Sequence, residues 1–274
     1  MKADFKLYTM EDAEKEGLAF EPQEEKPCPF CGMPLEQLGR PGTDGVVRWF
    51  ATTQCDCEGQ MAENERVEAE ERRAREEAAL RAMAAKCRSA GIGRRYLEAK
   101  VSQKPCIDYV NGFADAGGKG LYLVGGVGAG KTHEASAIAR SFIWSGYSVL
   151  IATSLTMLDS IYGNQHGQPT RGTADFCNAD LLIIDDLGKE NANQWAVTTL
   201  FQVVNSRYEN MLPTVFTSQY ALPDLERRMS RGGETESARA IVSRIGEMCE
   251  TILLSHPDRR RRGQRRQSEL RGTL

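Results

Sequence analysis

The sequence lacks any run of eighteen consecutive apolar residues, so it has no segment typical of a transmembrane helix. Its first twenty residues carry acidic side chains where a secretory signal peptide would have a basic and then an apolar stretch. We therefore expect a cytoplasmic protein with no membrane partner. With 274 residues, of which 41% are hydrophobic and 27% charged, the chain suits a soluble globular protein with one main domain and a smaller one.

A strong net charge is also missing, since the formal value is −3. The charges are unevenly distributed along the chain. The first 27 residues hold eight acidic and four basic side chains, whereas residues 256–274 hold seven arginines against Asp258 and Glu269. Only this tail has the charge to attract a polyanion, and a solvated tail without a partner is the alternative.

The eight cysteines do not follow the spacing of a disulfide framework, because four lie in two close pairs and four are scattered. The pairs are Cys28 with Cys31 and Cys55 with Cys57. Four thiolates suit tetrahedral Zn²⁺ and leave no open position for water, which favours structural zinc over a catalytic metal. Free or redox-active thiols are the alternative.

A hairpin is predicted between the two cysteine pairs. Turn residues at 41–45 precede the apolar stretch Val46–Phe50, a combination typical of a zinc ribbon. Such a small module cannot bury enough apolar area to fold alone, so zinc binding would supply folding free energy.

One long helix is predicted over residues 60–88, which are rich in Glu, Arg and Ala. Opposite charges recur at i,i+4 spacing, as in Glu68 with Arg72 and Glu71 with Arg75. Because its apolar residues are few and small, we interpret this helix as a solvated spacer; a partner-binding helix is the alternative.

The stretch Gly125–Thr132 has the pattern G-x-x-x-x-G-K-[ST] between an apolar run and a helical segment, as a phosphate-binding loop requires. Its glycines let successive N–H groups curl around an anion at the positive end of the next helix. Lys131 would contact the β- and γ-phosphates and the Thr132 hydroxyl would bind Mg²⁺. The predicted ligand is a nucleoside triphosphate. The expected binding residues in the loop are Gly125, Gly126, Val127, Gly128, Ala129 and Gly130.

Two adjacent acids, Asp185 and Asp186, follow the apolar run Leu181–Ile184. This is typical of a buried parallel strand whose carboxyl end reaches the active site. Asp185 would hold Mg²⁺, directly or through water, and Asp186 would orient the attacking water. The pair favours hydrolysis over binding alone.

A polar strand end and an arginine-bearing helix complete the pattern. Residues 213–219 predict a strand whose end could contact the γ-phosphate or the water. Residues 238–247 predict a helix carrying Arg239 and Arg244, and we interpret Arg239 as a surface cation. His166 is interpreted as a solvated loop residue. The candidates for DNA contact, chosen by charge alone, are Lys189, Arg171, Arg207 and the cluster Arg259 to Arg266.

These motifs together resemble the AAA+ ATPase domain of bacterial replicative-helicase loaders of the DnaC/DnaI type and the related IstB-like transposition ATPases. The resemblance covers roughly residues 90–260. It places Gly125–Thr132 at Walker A, Asp185 and Asp186 at Walker B, Gln219 at sensor 1 and Arg244 at the arginine finger. Gln219 departs from the asparagine usual at that position. The alternative for Arg244 is a surface helix cation.

The resemblance implies an α/β fold, a P-loop AAA+ parallel sheet flanked by helices, with a small N-terminal zinc-ribbon-like module and a connecting helix. We expect an arm at 1–26, a zinc-binding module at 27–59, a helical linker at 60–90, an ATPase domain at 91–256 and an arginine-rich tail at 257–274. The implied cofactors are ATP, Mg²⁺ and Zn²⁺, and the implied catalytic residues are Lys131, Asp186, Gln219 and Arg244.

The function implied by the resemblance is ATP-dependent loading of a DnaB-like hexameric replicative helicase onto single-stranded DNA. An arginine finger acts in a neighbour's site, so self-association is expected. A transposition ATPase that binds DNA and a transposase is one alternative, and the N-terminal cysteine pairs argue mildly against it. A nonenzymatic ATP-binding adaptor is the other alternative, and the complete set of catalytic side chains argues against it.

Overall fold

The computed structural model describes residues 6–115 and 117–255 and divides the chain into two compact units, residues up to 79 and residues from 80 onward. Among the helices of the described residues, none combines the length and apolar character needed to cross a bilayer. The arginine-rich tail at 257–274 and the cluster Arg259 to Arg266 lie outside the described residues.

A two-stranded antiparallel hairpin lies at the centre of the first unit, as the turn residues predict. Its strands are β1 (Gln37–Pro41) and β2 (Val47–Thr52). Gly45 in the connecting turn has φ 76°, a left-handed conformation that favours glycine. The long helix α2 (Glu58–Ala90) begins in this unit and continues past residue 79, which confirms the helix predicted over 60–88.

The segment before the first cysteine pair is more ordered than its composition predicts. A short helix, α1 (Met10–Lys15), is capped by the Thr9 side chain and buries Ala13 completely. Backbone pairing joins Tyr8 to Gly39 of the hairpin. The described part of the arm expected at 1–26 is therefore anchored to the hairpin by backbone hydrogen bonds, which the pattern of side chains along the sequence does not reveal.

Five parallel strands form the centre of the second unit, in the order β4-β5-β6-β3-β7. This confirms the predicted parallel sheet. The order places β6 between the strand that precedes the phosphate loop and the strand that ends in the two acids, so all three carboxyl ends meet at one edge. The strands are β3 (Gly120–Val124), β4 (Val149–Thr153), β5 (Leu181–Leu187), β6 (Thr214–Ser218) and β7 (Cys249–Leu253).

Helices cover both faces of this sheet. Successive residues of β5 point to opposite faces, and they pack into two separate hydrophobic clusters, one on each face. Leu182 and Ile184 belong to one cluster, and Leu181 and Ile183 belong to the other. The helices are α3 (Lys104–Asn111), α4 (Lys131–Trp144), α5 (Ser154–Gln165), α6 (Thr173–Asn178), α7 (Gln194–Glu209), α8 (Leu222–Met229) and α9 (Thr235–Met248).

Two of these helices, α6 and α8, were not predicted from the sequence. Both are short, and α8 buries only Leu225 and Met229, so its apolar pattern is too brief to recognise. Helix α5 also extends to Gln165, into the stretch expected to be a loop.

Arg207 is fully buried, which contradicts its choice as a candidate for DNA contact. Its guanidinium donates to the carbonyl oxygens of Phe176, Ala179 and Pro213 at 2.8–3.0 Å and to the Thr214 hydroxyl at 2.8 Å. Burial lowers the pKa of Arg207 to about 10. Arg207 thus ties α7 to the chain segments that enter β5 and β6.

Candidate nucleotide site and cysteine cluster

The phosphate loop lies between β3 and α4 at the carboxyl edge of the sheet. Gly128 and Gly130 have φ values of 77° and 98°, which side chains rarely adopt. A Cβ atom on Gly125 would lie 2.4 Å from the Leu254 carbonyl oxygen, so no larger residue fits there. Three glycines are therefore required by backbone conformation or close packing.

Lys131 is the first residue of α4 and is almost fully buried. Its Nζ donates hydrogen bonds to the carbonyl oxygens of Gly125 at 2.8 Å and Gly126 at 2.9 Å. These contacts hold the ammonium group against the loop, where a bound triphosphate would need a positive charge.

Asp185 ends its buried strand next to two hydroxyl groups. The Thr132 hydroxyl lies 3.0 Å from Oδ2 of Asp185, and the Thr217 hydroxyl donates to Oδ1 at 2.5 Å. Burial raises the pKa of the Asp185 carboxyl, and these two hydrogen bonds oppose that rise. A hydroxyl beside a carboxylate at the end of a phosphate loop is a suitable donor set for Mg²⁺, which prefers oxygen ligands.

Asp186 has φ 57°, in the left-handed region, and its backbone N–H donates to the Thr217 hydroxyl at 2.9 Å. The turn directs its side chain into the cleft beside the loop. There its Oδ2 accepts a 2.7 Å ionic hydrogen bond from Lys189. Lys189, a candidate for DNA contact by charge, therefore lies at the nucleotide cleft instead.

A cleft of about 210 Å³ brings together Lys131, Thr132, Asp186 and Gln219. Four other side chains line it as well: Arg95, Tyr96, His133 and Lys189. No local motif marks Arg95 or Tyr96; they belong to a short 3₁₀ turn (Arg94–Tyr96) whose position depends on packing against α4. The expected loop and acid residues thus meet at one site.

Arg244 is not among the residues that line this cleft. It lies on α9, where its guanidinium carbon is 5.1 Å from the Phe201 ring centroid and 5.5 Å from that of Tyr208. Both aromatic residues belong to α7. The geometry excludes a role for Arg244 in the cleft of its own subunit in this conformation.

The four cysteine sulfurs of the first unit converge. All four Sγ atoms lie within 4.8 Å of one another, with 3.7 Å between Cys28 and Cys57 and 3.5 Å between Cys31 and Cys55. Backbone N–H groups of Phe30 and Cys31 lower the pKa of the Cys28 thiol to about 7. Four sulfur ligands at these distances fit tetrahedral zinc.

The parallel sheet, the phosphate loop after β3 and the paired acids at the end of β5 define a P-loop ATPase of the AAA+ class. The chain belongs to the family of IstB-like ATP-binding proteins, whose sequence profile matches residues 59–268.

Individual relatives include replicative helicase loaders. DnaI of Bacillus subtilis is 28% identical over 160 residues, which are 56% of this chain and 51% of DnaI. DnaC of Escherichia coli is 30% identical over 90 residues, 32% of this chain and 37% of DnaC. The chain therefore spans about half, or less, of the length of these curated relatives. A crystal structure of DnaI aligns with a TM-score of 0.52 and 25% identity over 62% of this chain and 94% of that one. The expected resemblance is confirmed.

Proposed function

We propose that this protein loads a hexameric, DnaB-like replicative helicase onto single-stranded DNA and hydrolyses ATP at a site shared between adjacent subunits. The names of DnaI and DnaC, both replicative helicase loaders, support the loading role. The converging side chains of the cleft support hydrolysis. The proposed location is the cytoplasm, and the cysteine module would contact the helicase.

Each side chain of the cleft has a proposed task. The loop from Gly125 to Gly130 and Lys131 bind the phosphates, and Thr132 with Asp185 holds Mg²⁺, which neutralises phosphate charge when bound. Asp186 positions the attacking water after releasing Lys189. Gln219 orients that water, and Arg244 enters the site of a neighbouring subunit.

An exposed aromatic cluster carries the proposal of single-stranded DNA binding. Tyr162 of α5 is 53% exposed and meets Trp195 of α7 edge to face, with 5.5 Å between ring centroids. His166 stacks on Tyr162 at 4.1 Å. The spacing of Trp195, Leu200, Val203 and Val204 along the sequence predicts a buried helix face, but Trp195 is 36% exposed. Unstacked bases bind to aromatic faces of this kind whatever their sequence.

Polar side chains surround these rings and could bond to bases or sugar. Gln194 and Gln202 of α7 line a groove with Trp195, and Gln165 lies at its edge. Arg171, a candidate for DNA contact, donates one hydrogen bond to the Ser89 carbonyl oxygen and does not line this groove. The cluster therefore depends more on stacking than on charge.

Substitution of the aromatic residues tests this surface. We expect Trp195→Ala and Tyr162→Ala each to weaken binding of a fluorescent oligo-dT at least about fivefold, since one stacked base contributes about 1–3 kcal/mol. The matched control is Trp144→Ala, because Trp144 is also exposed, at 64%, but ends a different helix. Equal binding of oligo-dT by all three variants would contradict the proposal that this aromatic surface binds single-stranded DNA.

The partner is tested by capture of a purified hexameric helicase, with and without Mg-ATP. Retention that depends on nucleotide supports loading. Membership of the IstB-like family also supports one alternative function, that of a transposition ATPase that acts with a transposase on duplex DNA. Capture of a transposase with no retention of helicase would favour that alternative, whereas retention of helicase without ATP turnover would favour a nonenzymatic adaptor.

A further inference from the structure

The position of Asp186 depends on more than its strand. β5 continues through this residue in a left-handed conformation, and its register with β6 shifts between Ile184 and Leu187. A non-glycine residue in this conformation costs on the order of 1–3 kcal/mol unless its surroundings hold it. The groups that hold the turn therefore determine where the Asp186 carboxylate lies.

Glu190 is the main support beneath this turn. It is 5% exposed, and its carboxylate accepts a 2.5 Å hydrogen bond from the Ser154 hydroxyl. It also accepts the backbone N–H of Gly188, at 3.0 Å from Oε2 and 3.2 Å from Oε1. Within the described part of the chain, no lysine or arginine forms an ion pair with it. A buried carboxylate without a cation is costly. The donors that offset this cost are neutral groups, the Ser154 hydroxyl and the Gly188 N–H.

Ser154 extends this support to Asp186 itself. The same hydroxyl that donates to Glu190 lies 3.3 Å from the carbonyl oxygen of Asp186. Ser154 is fully buried and is the first residue of α5. From the other side, Arg228 of α8 donates to the carbonyl oxygen of Gly188. Side chains from two helices, Ser154 of α5 and Arg228 of α8, therefore hold the turn in addition to Glu190.

The bridge also connects the catalytic turn to the aromatic cluster. Ser154 begins the helix that carries Tyr162, and Glu190 lies just before the helix that carries Trp195. Because Ser154 belongs to one of these helices and Glu190 directly precedes the other, a displacement of either helix would change the contact between Ser154 and Glu190.

We propose that Glu190 is a positioning residue that acts through Ser154 and Gly188 to hold Asp186 at the nucleotide, and that it links the aromatic surface to ATP turnover. The inference rests on the proposed role of Asp186 in hydrolysis. Charge-assisted hydrogen bonds are about twice as strong as neutral ones, which gives a carboxylate an advantage over an amide at this position. Glu190 itself does not line the cleft.

The test is steady-state ATP hydrolysis by full-length Glu190→Gln, alongside equilibrium binding of Mg-ATP. We expect kcat to fall at least tenfold while ATP affinity stays within twofold of the parent, because Lys131 and the loop are untouched. In the parent, oligo-dT should change the turnover rate, and Glu190→Gln should lose this response; a parent whose turnover ignores oligo-dT would overturn the link to the aromatic surface. Ser154→Ala should show the same separation, and the double variant should be no slower than the slower single variant, since both act on one bridge.

A matched control is available at the opposite end of the same strands. Asp180 accepts the backbone N–H of Ser148 at 2.7 Å, where β4 and β5 begin. Asp180→Asn should keep the parental kcat. A parallel fall of kcat and ATP affinity in Glu190→Gln and Ser154→Ala would indicate a merely structural role and overturn the inference.

A comparison with Asp186→Asn separates the two proposals. If Asp186→Asn loses turnover while Glu190→Gln and Ser154→Ala keep it, positioning by Glu190 is wrong and the role of Asp186 stands. If Asp186→Asn keeps turnover, the proposed hydrolytic role of Asp186 fails, and the positioning role fails with it.

Discussion

The hydroxyl of Thr217 bonds to two consecutive acids: it donates to Oδ1 of Asp185 at 2.5 Å and accepts the backbone N–H of Asp186 at 2.9 Å. One side chain near the carboxyl end of β6 therefore aligns both acids at the end of β5. Asp185 remains only 5% exposed, and burial raises the pKa of its carboxyl above the ordinary 3.8. Burial therefore disfavours the ionised form of Asp185, which the proposed Mg²⁺ would require, and the two hydroxyl groups partly offset this cost.

Asp185→Asn should stabilise the protein while removing Mg²⁺-dependent ATP turnover. Because the folded-state pKa is raised, the charge lowers stability at neutral pH, and this effect declines as pH falls through the folded-state pKa and ends below 3.8. We expect the melting temperature without nucleotide to lie above that of the parent at pH 7. The gain should shrink toward pH 4. Exposed Asp159→Asn is the control, and a lower melting temperature for Asp185→Asn would contradict the prediction.

Lys131→Ala should abolish Mg-ATP binding and leave the fold intact, since the hydrogen bonds of Lys131 to the carbonyl oxygens of Gly125 and Gly126 lie within the phosphate loop and not in the core. Thermal unfolding with and without Mg-ATP measures both effects. Ligand at a hundredfold its Kd adds about 2.7 kcal/mol to the parent, and this shift should vanish in the variant. Lys104→Ala, at an exposed lysine of α3, should behave as the parent. Unchanged ATP turnover by purified Lys131→Ala would refute the assignment of the phosphate loop as the ATP-binding site.

Arg207→Ala should be strongly destabilising, by about 3 kcal/mol or more, because it leaves several buried carbonyl oxygens without donors. Urea denaturation measures the change. Arg207→Lys should recover only part of it, since one ammonium cannot replace the planar fork of donors. Exposed Arg227→Ala is the control, with a change within about 0.5 kcal/mol. If Arg207→Ala were as stable as the parent but weak in DNA binding, the structural role would be wrong.

Cys28→Ser should release zinc and unfold the first unit. Metal analysis of the parent should find one Zn²⁺ per chain, and a chelator should lower the near-ultraviolet dichroism of Trp49, which lies on β2. Cys177→Ser, a half-buried cysteine outside the cluster, should retain both metal and signal. A parent protein without stoichiometric zinc, or a Cys28→Ser variant of parental stability, would rule out the zinc module.

Features carried by short sequence patterns were the predictable ones. The apolar run of β5 and the glycines at Gly128 and Gly130 specify a buried strand and a tight loop wherever they occur. Features that join distant segments were not predictable. The sequence alone suggests that Arg207 is a surface charge, because its carbonyl partners in α6 are distant along the chain. Glu190 contacts Ser154 only because β4 and β5 are neighbours in the sheet.

Trp195 illustrates the same limit in the opposite direction. Its position on α7 matches an apolar helical pattern, which predicts burial. The next two residues of the same turn, Ala196 and Val197, are buried in the core, whereas Trp195 contacts Tyr162 and stays 36% exposed. Periodicity identifies the apolar face of a helix, but whether a residue at the margin of that face is covered depends on the neighbouring elements.

Arg244→Ala should leave ATP binding near normal and lower hydrolysis by about a thousandfold, the typical effect of losing an arginine finger. Lys131→Ala subunits keep Arg244, so mixing the two inactive proteins should restore part of the turnover at interfaces where an intact loop meets an intact arginine. Arg239→Ala, on the same helix, is the control and should hydrolyse ATP as the parent does. Because Arg244 stacks on Phe201 and Tyr208 in its own subunit, it must leave these rings to reach a neighbour. Turnover that stays absent at every mixing ratio would argue that Arg244 only packs α9 against α7.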